Sequence, residues 1–228
     1  MKYTLVNPKL DALIVEIKHK IRLSMNGIVS EQMAQNGIHY KKNYGVSIPR
    51  IKEIAAGYSQ SHDLAQRLWN LQIRETMIIA TLLEPVGSFN PQIAQIWVES
   101  FNQIEIIEQS CMNLFSKLPY SNTLCENWVH SDNIWMQVTG YMLAARIGML
   151  LTQNEIADIV REAMKISNTN NFHLYKAVAL CLSRFCRNDK ETAAFILKEI
   201  TAISRTSSIG QQYILNEVKQ EILFLNNL

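Results

Sequence analysis

Apolar side chains recur along most of this chain at intervals of three or four residues, the spacing of an amphipathic helix. The clearest stretch runs from Tyr44 to Pro85, YGVSIPRIKEIAAGYSQSHDLAQRLWNLQIRETMIIATLLEP, and predicts three short helices. Pro49 suits the first turn of one helix, and Ser61 can cap the next by accepting free backbone N–H groups. Because only two or three residues separate the last two apolar stripes, these helices are predicted to form an antiparallel hairpin.

Helical patterns also precede and follow this hairpin. A long helix is predicted from Asn7-Pro8 and a short one from Ser30 to Gln35, and further helix pairs begin at Asn90, Asn122, Thr152 and Asp189. Their uneven spacing, roughly 25 to 40 residues, is typical of a degenerate HEAT or armadillo repeat. We therefore predict an all-α solenoid, an α-α superhelix forming one domain over residues 1–228, with capping helices and a connector in 1–44 and about five hairpins in 45–228.

The second helix of each hairpin should line the concave side of such a stack, and function is expected there. Each hairpin should bury its apolar stripe against its neighbours, and on the helix that starts at Asn90 this stripe comprises Ile93, Ile96, Trp97 and Phe101. The side chains expected in the core are Leu68, Trp69, Met77, Ala80, Trp97, Trp128, Met142 and Val178.

The composition supports a helical chain with a large core. Hydrophobic residues make up 48% of the 228 residues, whereas 8 glycines and 5 prolines are few for a β-sandwich or barrel. The net charge of +2 is compatible with a polyanionic partner but does not require one.

The four cysteines form no C-x-x-C pair and lie among apolar residues of predicted helices. Buried free thiols are expected, which indicates a reducing compartment, and we predict a cytoplasmic location. The first residues, MKYTLVNPKLDALIVEIKHK, lack the long apolar core of a signal peptide or membrane span, so no membrane association is expected.

Several enzyme classes are disfavoured by the absence of their motifs. The sequence contains no glycine-rich phosphate loop, nucleophile elbow or H-E-x-x-H motif. Its five histidines are scattered without metal-ligand spacing, and we predict neither a metal nor a cofactor.

Glu105 and Glu108 are the best pair of candidate catalytic carboxylates. They are one helical turn apart in the segment IEIIEQS, so both project from one side of a predicted second helix. A solvated helix face is the alternative interpretation. Trp135, at the start of the next second helix, could present its ring to the same concavity or belong to the core.

Basic residues on two parts of the chain could form a discontinuous rim around the groove, and ordinary solvated surface is the equally weighted alternative. The candidates are Lys41, Lys42, Arg50, Lys52, Lys176, Arg184 and Arg187.

Three segments resemble the AlkD-type DNA alkylation repair proteins, which are HEAT-like repeat DNA glycosylases. They are YGVSIPRIKEIAAGY, DLAQRLWNLQIRETMIIATLL and FHLYKAVALCLSRF, and the resemblance covers most of the chain from about His39. It implies a basic concave groove that holds duplex DNA and removes cationic N-alkylated purines without flipping the base. A carboxylate then stabilises the carbocation-like sugar and orients water, while indole rings pack against the sugar and backbone.

The family's motif Trp-Asp-x-x-Asp corresponds here to the segment from Ile104 to Glu108. The resemblance thus implies Glu108 as the catalytic carboxylate, with Glu105 as the second choice. Ile104 and Leu180 replace tryptophans, and Gln137 or Val138 stands where the family has an arginine.

Two functional hypotheses follow, and we expect a monomer under either. The first is a duplex-DNA-binding protein related to the glycosylases, with weak, altered or absent excision, that uses Lys41, Lys42, Arg50, Trp135, Tyr175, Lys176 and Arg184. The second is a non-catalytic scaffold that binds a protein or peptide in its groove. A continuous positive groove favours DNA, and an apolar or acidic one favours a protein.

Overall fold

The computed structural model describes residues 7–201 and 208–226, and the regular structure in these ranges is helical apart from one isolated bridge between Lys42 and Ile73. The α-helices of these ranges are α1 Pro8–Leu23, α2 Gly27–Gln35, α3 Ile48–Ala56, α4 His62–Asn70, α5 Arg74–Leu83, α6 Pro91–Glu99, α7 Ile104–Asn113, α8 Ser121–Val129, α9 Ile134–Ile147, α10 Gln153–Ile166, α11 Phe172–Phe185, α12 Lys190–Thr201 and α13 Ile209–Asn226. The prediction of an all-helical chain is confirmed.

Most helices begin where a polar side chain can cap them. Asn7 accepts a hydrogen bond from the Leu10 backbone N–H, and Ser61 accepts one from Leu64. Thr152 and Glu155 form a reciprocal capping box at the start of α10. The starts predicted from Asn7, Ser61 and Thr152 are therefore confirmed.

Some boundaries and one inward-facing position differ from the sequence pattern. α2 begins at Gly27 rather than Ser30, because the Asn26 side chain caps it by accepting from the Val29 N–H. α7 ends at Asn113, so Phe115 lies in a short 3₁₀ turn. Ile96, expected on the inner stripe of α6, is 59% exposed.

The contacts between residues divide the chain into two compact units, one ending at Ala94 and the other beginning at Gln95. In the first unit α4 and α5 form the predicted antiparallel hairpin. α3 packs on α5, and α1 packs on α3 and α4. The organisation of the whole chain as one domain stays a prediction.

The connector before α3 is fixed by the buried start of α5. The Glu75 carboxylate accepts from the backbone N–H of Tyr44 at 3.1 Å and of Val46 at 3.3 Å. The buried Arg74 guanidinium donates to Glu75 at 3.0 Å and to the Val46 carbonyl at 2.8 Å. Gly45 has φ +68°, and a Cβ there would overlap the Asn26 backbone, which explains the glycine.

In the second unit the helices lie in two rows. α7, α9, α11 and α13 lie side by side, and we call them the second-helix row. α8, α10 and α12 pack next to one another and form the first-helix row, with α8 and α9 making the closest pair between rows. The second helices of successive hairpins thus share one face of this unit.

The core follows the apolar stripes. All eight side chains expected in the core are at most 6% exposed: Leu68, Trp69, Met77, Ala80, Trp97, Trp128, Met142 and Val178. The four cysteines are buried free thiols, as expected, and burial raises the pKa of Cys111 and of Cys186 to about 12. No helix in the described ranges combines the length and hydropathy needed to cross a membrane.

Candidate nucleic-acid interface

A groove of about 530 Å³ opens on the second-helix row of the second unit. α11 supplies the largest share of its lining, because Phe172, Lys176, Leu180 and Arg184 follow one another at four-residue intervals on one face of that helix. α7 and α9 form one side of the groove, and α13 forms the other. Candidate residues predicted on separate second helices therefore meet in one place.

Glu108 lines this groove, whereas Glu105, one turn earlier on α7, is half-buried and does not. Although Glu108 is exposed, the surrounding protein partly desolvates its carboxylate and raises its pKa. The positive charge of Arg146 opposes this rise, and the negative charge of Glu105 adds to it. Ionised Glu108 is thus a carboxylate whose charge is stabilised mainly by one arginine.

The cations on α11 and just beyond its end at Phe185 differ in how they are paired with carboxylates. Lys176 and Arg184 are exposed and eight residues apart, so they lie on the same face. No carboxylate of the described ranges forms a salt bridge with either of them. Arg187, by contrast, donates to both carboxylate oxygens of Glu221 at 2.7 and 3.0 Å. Lys176 and Arg184 therefore remain available to an anionic ligand, and Arg187 is already neutralised.

Arg146 is a site residue that the sequence pattern did not single out. It is exposed near the end of α9 and lines a second cavity of about 360 Å³ together with Leu180 and Arg184. The resemblance directed attention to Gln137 and Val138, but Val138 is fully buried and Gln137 is half-buried. Arg146 lies four residues after Met142, which lines both cavities. This helical spacing indicates that the two side chains share one face of α9.

The positions where the resemblance implies indole rings hold aliphatic side chains. Ile104 and Leu180 both line the groove with Glu108, and Leu180 is 38% exposed. Trp135 is half-buried, with its ring 5.1 Å from that of His173, and does not line the groove. The groove thus lacks the flat indole surfaces expected beside the carboxylate.

Tyr175 is buried, with 8% of its surface exposed, and its ring packs 5.1 Å from that of Tyr213. Tyr175 does not line the groove itself, but its ring packs against the rings of Phe172 and Tyr213, which do. Contact between Tyr175 and DNA stays a prediction, and the burial of this ring does not favour it.

The remaining basic candidates lie in the first unit. Lys41 and Lys42 are exposed on the connector, and the Lys42 ammonium lies 4.9 Å from the centre of the Tyr44 ring. Arg50 donates to Glu53 at 2.9 Å and to Ser24 at 3.0 Å. A shared rim with Lys176 and Arg184 stays a prediction.

The α13 side of the groove is not basic. It contributes Glu217 and Glu221 together with the rings of Tyr213 and Phe224. Burial, and then the charge of Lys176, lower the pKa of His173, so the imidazole facing the groove is neutral at pH 7. Among the described residues no group of three or more His, Cys, Asp or Glu side chains could hold a metal ion.

Paired helices whose second members line an open groove define this chain as a HEAT-like helical repeat protein. A solved structure described as "a new family of proteins related to the HEAT-like repeat DNA glycosylases with affinity for branched DNA structures" is similar to it with a TM-score of 0.75. The match covers 90% of this chain and 93% of that chain at 12% identity, which establishes likeness of fold. Residues 17–209 match the family of DNA alkylation repair enzymes, and the chain belongs to this family. No curated protein matches the chain.

Proposed function

We propose that this chain binds DNA through the groove of its second unit, by contacts to backbone phosphates without sequence preference. The observation that carries the proposal is the pair of exposed, unpaired cations Lys176 and Arg184 on the face that also bears the groove. Arg146 adds a third positive charge beside Arg184. Family membership and the fold it shares with a protein of affinity for branched DNA support the same conclusion.

Excision of a cationic N-alkylated purine is at most slow under this proposal. Glu108 has the charge needed to stabilise the carbocation-like sugar as the glycosidic bond breaks, and its ionised carboxylate can orient water. Two features weaken this contribution of Glu108 to catalysis. Partial desolvation raises the pKa of Glu108, and Ile104 and Leu180 provide no indole face to position the sugar.

Binding is tested by fluorescence anisotropy with a duplex oligonucleotide over a series of salt concentrations. Each neutralised phosphate releases condensed counterions, so three cations predict a slope of log K against log salt of about −3. Lys176→Ala and Arg184→Ala should each weaken binding for all sequences and reduce the slope by about 1.

The matched control for these variants is Lys165→Ala. Lys165 lies on α10 of the first-helix row, and its ammonium is paired with Glu162 at 2.7 Å. We expect the DNA affinity and the salt slope of the Lys165→Ala variant to equal those of the parent. Undetectable binding of the parent at low salt would refute DNA binding.

Excision is tested by measuring the release of 7-methylguanine and 3-methyladenine from alkylated DNA. Glu108→Gln keeps the shape of the side chain and removes its charge, so it should abolish any release above spontaneous depurination, and Glu105→Gln serves as the comparison. Activity of the parent should rise as the pH increases through the raised pKa of Glu108, which lies above the ordinary value of 4.5. Release that survives intact in Glu108→Gln would show that another group is responsible.

A protein or peptide scaffold is the second candidate, and a specific observation favours it. The α13 side of the groove carries Glu217 and an exposed Phe224, and Leu180 leaves apolar surface at its centre. Such a mixed surface is typical of protein interfaces. The salt titration separates the two functions, because only DNA binding predicts the slope set by Lys176 and Arg184.

A further inference from the structure

The N-terminal end of α11 forms an aromatic site that backbone-phosphate binding leaves unexplained. Phe172 is a groove-lining ring that remains 52% exposed. The rings of His173 and Tyr175 lie 5.6 and 5.7 Å away at interplanar angles of 84° and 73°. Because these neighbours stand nearly perpendicular to it, they fix the orientation of Phe172 without stacking on its face.

A cation is held within the same aromatic site. The Lys176 ammonium lies 4.3 Å from the centre of the Phe172 ring and 5.7 Å from that of Tyr213. Phe172 and Lys176 are separated by about one helical turn, or about 6 Å along the axis, and Arg184 lies about 12 Å further on. An exposed aromatic ring and two cations that form no salt bridge with a carboxylate of the described ranges thus follow one another along α11.

We propose that this end of the groove receives an unpaired nucleotide, with its base stacked on Phe172 and its phosphate bound by Lys176. A nucleotide brings both a π face and a negative charge, and aromatic side chains stack any base without sequence preference. The groove, about 530 Å³, has the volume of a typical site for a small ligand. This inference rests on the proposed function and specifies which DNA the groove prefers.

The preference for an unpaired nucleotide follows from the geometry of DNA and from the charges of the groove. Bases in a continuous duplex are stacked on one another, and their faces cannot reach a protein ring. Glu217 on the α13 wall opposes a second row of phosphates at this end, whereas the α11 wall can follow one strand. DNA with a bulge or flap should therefore bind more tightly than continuous duplex.

The test compares three DNAs of one sequence: a continuous duplex, a duplex with one bulged nucleotide, and a duplex with a single-stranded flap. The unpaired position carries 2-aminopurine, whose emission falls when it stacks. We expect the bulged and flapped DNAs to bind about 5- to 150-fold more tightly than the duplex, the effect of one base–aromatic stack. We also expect 2-aminopurine emission to fall on binding.

Phe172→Leu keeps an apolar side chain but removes the ring, so it should abolish both the preference for DNA with an unpaired nucleotide and the emission change. Phe172→Trp should retain both. Phe195→Leu makes the same change on α12, outside the groove, and should have no effect.

Equal affinity of the parent for all three DNAs, or a preference that survives in Phe172→Leu, would refute the unpaired-nucleotide site and leave DNA binding intact. Failure of the parent to bind any of the three DNAs would refute the proposed function itself.

Discussion

Gly140→Ala is predicted to destabilise the protein, although alanine is favoured over glycine within a helix by about 1 kcal/mol. Gly140 lies in α9 where this helix packs against α8. A Cβ at this position would lie 2.7 Å from the Val129 backbone nitrogen and 2.8 Å from Val129 Cγ1. It would also lie 3.0 Å from the Trp128 carbonyl carbon. Two of these three atoms belong to the backbone, so a change of rotamer cannot remove the overlap.

The expected magnitude follows from two opposed effects. Overpacking of a well-packed core costs about 1–3 kcal/mol, and an overlap with backbone atoms belongs near the upper limit. Subtracting about 1 kcal/mol for helix propensity leaves a net loss of about 2 kcal/mol. For a chain of this size, that loss corresponds to a decrease in Tm of about 4–8 °C.

The assay is thermal unfolding followed by far-UV circular dichroism, with Gly27→Ala as the matched control. Gly27 is the first residue of α2, and a Cβ there would have no atom within 4 Å. The Tm of Gly27→Ala should therefore equal or exceed that of the parent. If Gly140→Ala melts at or above the parent's Tm, the close approach of α8 and α9 is wrong.

Three further predictions concern the first unit. Trp69→Ala should lose about 3–5 kcal/mol of stability as a large-to-small core change, and a Tm near the parent's would show that Trp69 is not core. Glu75→Ala should cost about 1–3 kcal/mol for each buried backbone group that it strands, because the Tyr44 and Val46 N–H groups lose their carboxylate acceptor, and chemical denaturation should show the loss. Burial raises the pKa of Glu84 despite its hydrogen bond with His62, so the folded state favours the protonated carboxyl. The stability of the parent relative to Glu84→Gln should thus fall as the pH rises from 4.5 through that raised pKa, and a constant difference would contradict this cause.

Local features of the fold could be predicted from the sequence because their causes lie within a few residues. The caps at Asn7, Ser61 and Thr152 act on backbone groups three positions away. The apolar stripes likewise identified buried core positions such as Trp69 and Trp128. The same pattern wrongly predicted that Ile96 faces inward, and it did not identify Arg146 as a cavity-lining residue. Periodicity defines a face of a helix without showing whether a neighbouring element covers that face.

The sequence by itself determined the helices, the hairpin of α4 and α5, and the candidate carboxylate. Only the tertiary structure decided which candidates share one site. Packing of the second helices side by side brings Glu108 of α7 to the groove that Lys176 of α11 lines, and it covers Tyr175 with Tyr213 of α13. It also leaves Phe172 half exposed although the residue is strongly apolar. The physical reason is that burial and electrostatic environment depend on contacts between helices far apart in the chain, and these contacts are not encoded in the spacing of residues along any one helix.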